Sequence, residues 1–269
     1  MDVEHSSGTA EVDLREFVVR PDATVVGDDG VGGVLVASLT YAGRLARRVG
    51  ELVGVGDLRS IEVVGRRRLT VGVTWTPAGE GTYRAVDAAL PARLVPAFTV
   101  VGAVDTSAAV GHCLTRVLGV EGVRWAVLVL IDSRVVAAEG ERHDAPHLAE
   151  AGNRVLAVLG SLGDRHATGF VRLGFEQDAV VGAQVGRHAL VVRCGATDDA
   201  VLLAVLDEVR AVLAGHDLSL VPPPAAPEVD KVPAAAAVDA PVVAPPPLVG
   251  ARFGGGQRAE RPRRGRFAR

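Results

Sequence analysis

The sequence predicts an α+β protein in which two modules of similar element order precede a Pro-, Ala- and Arg-rich tail. Three observations carry this prediction. The later half orders its helical and strand-like apolar periods in a way that does not fit the alternating βαβ pattern of a parallel sheet. The first half repeats much of that order at a spacing of about 105 residues, which indicates an internal duplication. Beyond about residue 218 neither period continues.

The first module is predicted to span residues 15–104, after a disordered tail at 1–14. Its apolar pattern predicts, in order, a strand and turn at 25–30, a strand at 34–38, a helix after Thr40, strands around 60–63 and 69–75, and a fifth strand at 82–86. Pro91 and Pro96 interrupt the segment where a closing helix is expected. The end of this module is therefore expected to differ from the second.

The second module is predicted to span residues 105–217. Its pattern predicts a helix at 106–118, a buried strand at 125–131, a strand at 134–138, a helix capped by Asp144, strands at 168–176, 178–185 and 190–194, and a last helix opening at Thr197. Gly160 and Gly163 are expected to end the helix that Asp144 caps. Each module thus reads as a mainly antiparallel five-stranded sheet with helices on its faces.

The C-terminal segment predicts a linker at 218–251 and a basic tail at 252–269. Nine of the 15 Pro residues fall between Val221 and Leu248, which favours extended, unpacked chain. The tail has a net charge of +6, and the rest of the chain −9. Its seven arginines are candidate contacts for a polyanion: Arg252, Arg258, Arg261, Arg263, Arg264, Arg266 and Arg269.

Composition excludes several classes of protein. A hydrophobic share of 48% and a charged share of 23% exclude a fully disordered chain. With 32 Gly lacking a three-residue period and two Cys, the chain is neither collagen-like nor disulfide-stapled. No secretory signal is visible at the N-terminus, so a cytoplasmic location and reduced thiols at Cys113 and Cys194 are expected.

No complete catalytic constellation occurs in the sequence, and no catalytic, cofactor-binding or metal-binding residue is predicted. There is no Gly-x-Ser-x-Gly elbow, HExxH, CxxC or dinucleotide fingerprint. His143 and His147 have the spacing of helical metal ligands, but Asp144 between them is better explained as a helix cap. The glycine-rich segment 27–33 lacks the Lys-Ser or Lys-Thr of a phosphate loop and is predicted to be a turn.

Short motifs resemble the roadblock/dynein-light-chain family of the roadblock/longin-like group. In the second module they are Val117-Leu118-Gly119-Val120-Glu121-Gly122-Val123, the apolar strand to Ile131, the turn at Asp132 and the segment 135–138. In the first module, residues 27–30 and 35–38 resemble the turn and second strand of the same opening. The likeness extends over about 110 residues of the second module and about 70 of the first.

The resemblance implies a non-enzymatic role. Modules of this family pair through the middle strand and middle helix, and the paired surface binds small Ras-like GTPases or scaffolds larger complexes. Two modules in one chain would allow this pair to form internally, or the chain would self-associate. Exposed helix positions near that surface are the candidate partner contacts: Arg44, Arg47 and Arg48 in the first module, and Glu150, Asn153 and Arg154 in the second.

Two other functions remain open from the sequence. A helix-covered antiparallel sheet also suits a small-molecule sensor, since fold alone does not choose a function. Alternatively the basic tail is itself the functional element, and tethers the protein to nucleic acid, to an anionic membrane or to an acidic protein face.

Overall fold

The computed structural model describes residues 14–65, 67–90, 105–141, 144–166 and 169–222. In chain order the strands and helices are β1 (Leu14–Val19), β2 (Val25–Gly27), α1 (Asp29–Val53), β3 (Leu58–Val64), β4 (Arg67–Trp75), β5 (Gly81–Ala89), α2 (Thr106–Leu118), β6 (Val123–Val129), β7 (Val135–Gly140), α3 (Ala145–His166), β8 (Phe170–Phe175), β9 (Ala179–Val185), β10 (His188–Cys194) and α4 (Asp199–Leu213). A short 3₁₀ helix follows at Leu218–Leu220.

All ten strands form one antiparallel sheet in the order β2-β1-β5-β4-β3-β8-β9-β10-β6-β7. The order in one half mirrors the order in the other: each module contributes a hairpin, then a helix, then a three-stranded meander that returns beside the first strand of the hairpin. β1 corresponds to β6, β2 to β7, α1 to α3, and β3, β4 and β5 to β8, β9 and β10. The α+β class and the repeated order of elements are therefore present in the structure.

The two modules join where β3 pairs with β8. Val63 lies opposite Val171 and Ile61 opposite Leu173, and all four side chains are fully buried. Above this seam α1 packs against α3, so the middle strand and the middle helix of each module both contribute to the contact. The pairing that the resemblance implies is thus intramolecular in this structure.

The two faces of the sheet are covered differently. One face carries α1 and α3, and its apolar core continues across both modules. The other face carries α2 and α4, whose core lies over the second module and reaches the first only at Val64. The same face of the first module presents exposed polar side chains such as Thr70 and Arg84. No helix among the described residues is long and apolar enough to cross a membrane.

Residues 34–38, predicted as a strand, lie inside α1. The helix begins much earlier than expected because Asp28 caps it: the amide of Val31 donates to the Asp28 carboxylate over 3.0 Å. Gly32 fits the same picture, since a Cβ at that position would clash with Phe17 and Val25. The Gly-rich segment that resembled a turn is therefore the first turn of a helix packed closely on β1 and β2.

Three further boundaries differ from the prediction. α3 passes through Gly160 and Gly163 and continues to His166. α4 is capped by Asp198, one residue after the predicted opening at Thr197. β1 begins at Leu14, and Leu218 and Val221, which the prediction assigns to the linker, are buried in the second-module core, where the Arg134 guanidinium donates to the Val221 carbonyl over 2.5 Å.

Other predicted segments lie outside the described residues. They are the N-terminal tail up to residue 13, the predicted closing helix with Pro91 and Pro96, most of the linker and the whole basic tail.

A buried ionic cluster links the modules near the C-terminal end of α1. Arg193 donates to the Asp178 carboxylate over 2.8 Å and to the carbonyl of Val53 over 3.2 Å. Arg124 approaches the same carboxylate at 3.3 Å. Since the Asp178 side chain is almost fully buried, its charge is held by these two guanidiniums rather than by water.

We expect Asp178→Ala to lower the free energy of unfolding by about 3–5 kcal/mol, because it leaves the buried Arg193 cation without its counter-ion. Urea unfolding monitored by circular dichroism measures this. The matched control is Glu208→Ala, which breaks the exposed ion pair with Arg116 and should cost no more than about 1 kcal/mol. Equal losses in the two variants would contradict the importance given to the buried cluster.

Both cysteine thiols should be inert in the folded protein. Burial raises the pKa of Cys113 to about 11 and also raises the pKa of Cys194. The reactive thiolate is therefore scarce at pH 8, and access is blocked as well. We expect Ellman's reagent to modify neither thiol within minutes in the native state and both in guanidinium chloride. Rapid native modification would show that the second-module core is open.

Candidate partner-binding surface

The outer side of the α1–α3 pair, named here the helix-pair surface, is the one solvent-facing surface among the described residues to which both modules contribute a middle helix. The helices run antiparallel: Arg48, near the end of α1, reaches Glu150, near the start of α3, with Nε and Oε1 3.4 Å apart. Their buried residues recur at three and four positions, which leaves a narrow polar or exposed stripe on each helix.

One end of the helix-pair surface is charged. Glu150 accepts hydrogen bonds from Arg154 Nε at 3.0 Å and from Arg154 Nη2 at 2.6 Å, besides its contact with Arg48. Arg48 also donates to Glu51 at 2.8 Å. The hydrogen bond from Arg154, and secondarily that from Arg48, holds the pKa of Glu150 below its ordinary value. We call these four residues the charged cluster.

The other end of the surface is apolar. Val34 is 57% exposed and Tyr41 is 52% exposed, and Ala37 lies exposed between them on the same side of α1. Their spacing of three and four residues places them in one row along the helix. We call Val34, Ala37 and Tyr41 the apolar strip. Exposed apolar side chains grouped beside charges are typical of protein-binding surfaces rather than of solvated helix faces.

The six residues predicted as partner contacts do not form one group. Arg48, Glu150 and Arg154 converge in the charged cluster. Asn153 instead donates to the Ser133 hydroxyl over 2.5 Å, which ties α3 to the β6–β7 turn.

The other two predicted contacts lie on the flank of α1. The Arg47 guanidinium stacks over Trp75 at 5.1 Å from the ring centroid and faces Asp57 at 3.7 Å. Arg44 lines a cavity with Trp75 and Tyr83.

Val34 and Tyr41 are missing from the sequence-based set. Residues 34, 37, 41, 44 and 48 follow a helical period that would have revealed them. The period is hidden because the apolar segment Val34-Leu35-Val36 is typical of a strand. The local sequence around Arg48 or Glu150 does not predict the contact between them, because that contact depends on how the two modules pair.

Two further features considered from the sequence are metal binding and the basic tail. Within the described residues, no group of three His, Cys, Asp or Glu side chains is arranged to hold a metal ion. His143 lies outside the described residues, as do the seven arginines of the tail.

Two solved structures are similar to parts of this chain. A Roadblock/LC7 domain from Streptomyces avermitilis matches 38% of this chain and 92% of its own length, with 22% identity and a TM-score of 0.35. Myxococcus xanthus MglB matches 43% of this chain and 92% of its own length, with 16% identity and a TM-score of 0.37. No family model and no curated protein matches the sequence.

The charged cluster predicts an ordered set of pKa changes. Arg154→Met should return the pKa of Glu150 upward toward its ordinary value, and Arg48→Met should do so less, because its contact is longer. Since the pKa is lowered in the fold, the stabilisation is present above the ordinary pKa and disappears as pH falls through the lowered one. NMR titration of the Glu150 carboxyl carbon measures each variant. A larger effect from Arg48 would reverse the assigned order.

Proposed function

We propose that this chain is a non-enzymatic regulator or scaffold of a small Ras-like GTPase, which it contacts through the helix-pair surface. The observation that carries the proposal is the internal pairing through β3–β8 and α1–α3. This is the mode of pairing that the sequence resemblance implies for modules that bind such GTPases. One polypeptide therefore presents the two-module surface that single modules make only by association.

The composition of the helix-pair surface suits a protein partner. Tyr41 offers a large, rigid and half-exposed anchor, a residue type enriched among the side chains that dominate binding energy. The charged cluster supplies guanidinium and carboxylate groups at the other end of the same surface, which suits orientation and specificity more than raw affinity. The apolar strip and the charged cluster together support contact with one face of a folded protein.

The basic tail is proposed as a separate tether. Its arginines would contact phosphates or carboxylates through charge, with little dependence on the shape of the partner. Binding through the tail should therefore weaken steeply with salt, whereas binding through the helix-pair surface should depend on nucleotide state and less on salt.

The test is affinity purification from native lysate with the full chain and with residues 1–222, each in GDP and in a non-hydrolysable GTP analogue. The shorter form keeps Leu218 and Val221, which belong to the second-module core. We expect mass spectrometry to identify a Ras-like GTPase retained by both forms in only one nucleotide state. Retention that requires residues 223–269 would favour the tether as the functional element.

We expect the double variant Tyr41→Ala, Arg154→Glu to weaken GTPase binding at least tenfold, because it removes the anchor and reverses one charge. Isothermal titration with the captured GTPase measures this. Arg116→Ala is the matched control: Arg116 is exposed on α2, on the opposite face of the sheet, and its loss should leave affinity unchanged. Equal loss in both variants would place the partner elsewhere.

A further inference from the structure

A cavity of about 100 Å³ lies on the flank of α1, at a distance from the helix-pair seam. Its walls come from α1, from the chain that leaves β1 and from the hairpin that joins β4 to β5. In the sheet order β1 and β5 lie outward of β4 and β3, so the cavity belongs to the first module alone. Its lining includes no residue of the charged cluster or of the apolar strip.

Aromatic side chains form the inner wall of the cavity, and two glycines leave the space that one of these side chains occupies. Trp75 and Tyr83 pack edge to face with centroids 6.3 Å apart. A Cβ at Gly43 would lie 2.2 Å from the Tyr83 hydroxyl, and a Cβ at Gly81 would lie 2.6 Å from it. Tyr83 fits beside α1 only because both positions lack a side chain.

The Tyr83 hydroxyl is an unused donor that opens on the cavity. The residue is only 2% exposed, yet its hydroxyl makes no hydrogen bond within the described chain. Because the hydroxyl borders the cavity, an acceptor bound there could receive a hydrogen bond from it.

Positive charge surrounds the same cavity. Arg20 and Arg44 line it, and Arg20 also acts on Asp22, whose pKa it helps to lower. Behind Trp75 stands Arg47, which stacks on the ring and forms an ion pair with Asp57 at 3.7 Å. Of the described lining residues only Glu80 is acidic, and its side chain is exposed at the rim. The lining therefore has an excess of cations over anions.

The fold does not require this arrangement. Tyr83 lies opposite Val19 of β1 and belongs to the core shared with α1, and the apolar residues of β10 in that core are Ala189 and Val191. The second module thus has small aliphatic side chains where the first has tyrosine. The same architecture forms without the aromatic wall, which is therefore a feature of the first module alone.

We propose that this cavity binds a small oxyanion of the phosphate class, either free phosphate or the phosphoryl group of a small ester. Arg20 and Arg44 would donate charge-assisted hydrogen bonds to the oxygens of the oxyanion, and the Tyr83 hydroxyl would donate one more hydrogen bond. A volume of about 100 Å³ equals roughly three waters, which accommodates a tetrahedral oxyanion but little more. The aromatic wall excludes water from one side and strengthens these contacts.

Tryptophan fluorescence of the full chain, titrated with inorganic phosphate at constant ionic strength, tests the proposal. Trp75 lines the cavity, whereas Trp125 is buried in the second module. We expect a saturable change with a Kd of roughly 0.1–10 mM, in keeping with a ligand of so few atoms. Arg44→Gln should weaken binding at least about tenfold, and Tyr83→Phe about three- to tenfold.

Arg84→Gln is the matched control, because Arg84 follows Tyr83 in β5 but is exposed on the opposite face of the sheet. It should bind phosphate as the unaltered chain does. Tighter binding of phenyl phosphate than of phosphate would identify the phosphoryl ester as the ligand form, and the reverse would identify free phosphate. A signal that does not saturate, equal binding of acetate, or unchanged binding in both cavity variants would overturn the proposal.

Discussion

Strands β3 and β8 would each be an edge strand if the two modules were apart, with a row of unpaired backbone N–H and C=O groups. Pairing them satisfies both edges and joins the two five-stranded halves into one sheet. The same contact buries the apolar sides of α1 and α3 against each other and over the seam. Burial of the helices, continuity of the core and the two-helix outer surface all follow from this single pairing.

Covalent linkage of the two modules has a further consequence. In a symmetric dimer any substitution appears twice, whereas here each half can change alone. The charged cluster occupies one end of the helix-pair surface and the apolar strip the other. Tyr83 of β5 lies on the same side of the sheet as Ala189 and Val191 of β10, the corresponding strand of the other module. The outer sheet face is covered by α2 and α4 in the second module and is polar in the first. A near-symmetric scaffold thus carries two differently specialised halves.

The sequence was sufficient for the α+β class, the repeated element order and every strand and α-helix of the second module, because those apolar periods are long and uninterrupted. The prediction was wrong at 34–38, where the apolar segment Val34-Leu35-Val36 resembles a strand although Leu35 and Leu39 keep a helical period. Gly160 does not end α3, because the packing of α3 on α1 stabilises the helix by more free energy than one glycine costs.

The candidate surface was predicted less well than the fold. Periodicity shows which side of a helix is exposed, so Arg48, Glu150 and Arg154 could be predicted as candidate partner contacts. That Arg48 meets Glu150 follows from the pairing of distant segments and leaves no local trace. The cavity beside Tyr83 is hidden for the same reason: its arginines, aromatics and glycines are scattered from residue 20 to residue 83.

Cross-linking across the seam tests the central claim, that the modules pair within one chain. Ser60 Cβ lies 3.7 Å from the position a Cβ at residue 174 would take, which is within the range of a disulfide. Cys113 and Cys194 are buried and should not compete. Mild oxidation of Ser60→Cys, Gly174→Cys should give a cross-linked monomer at every concentration, and neither single variant should change. A disulfide-linked dimer whose yield falls on dilution would show that pairing occurs between chains.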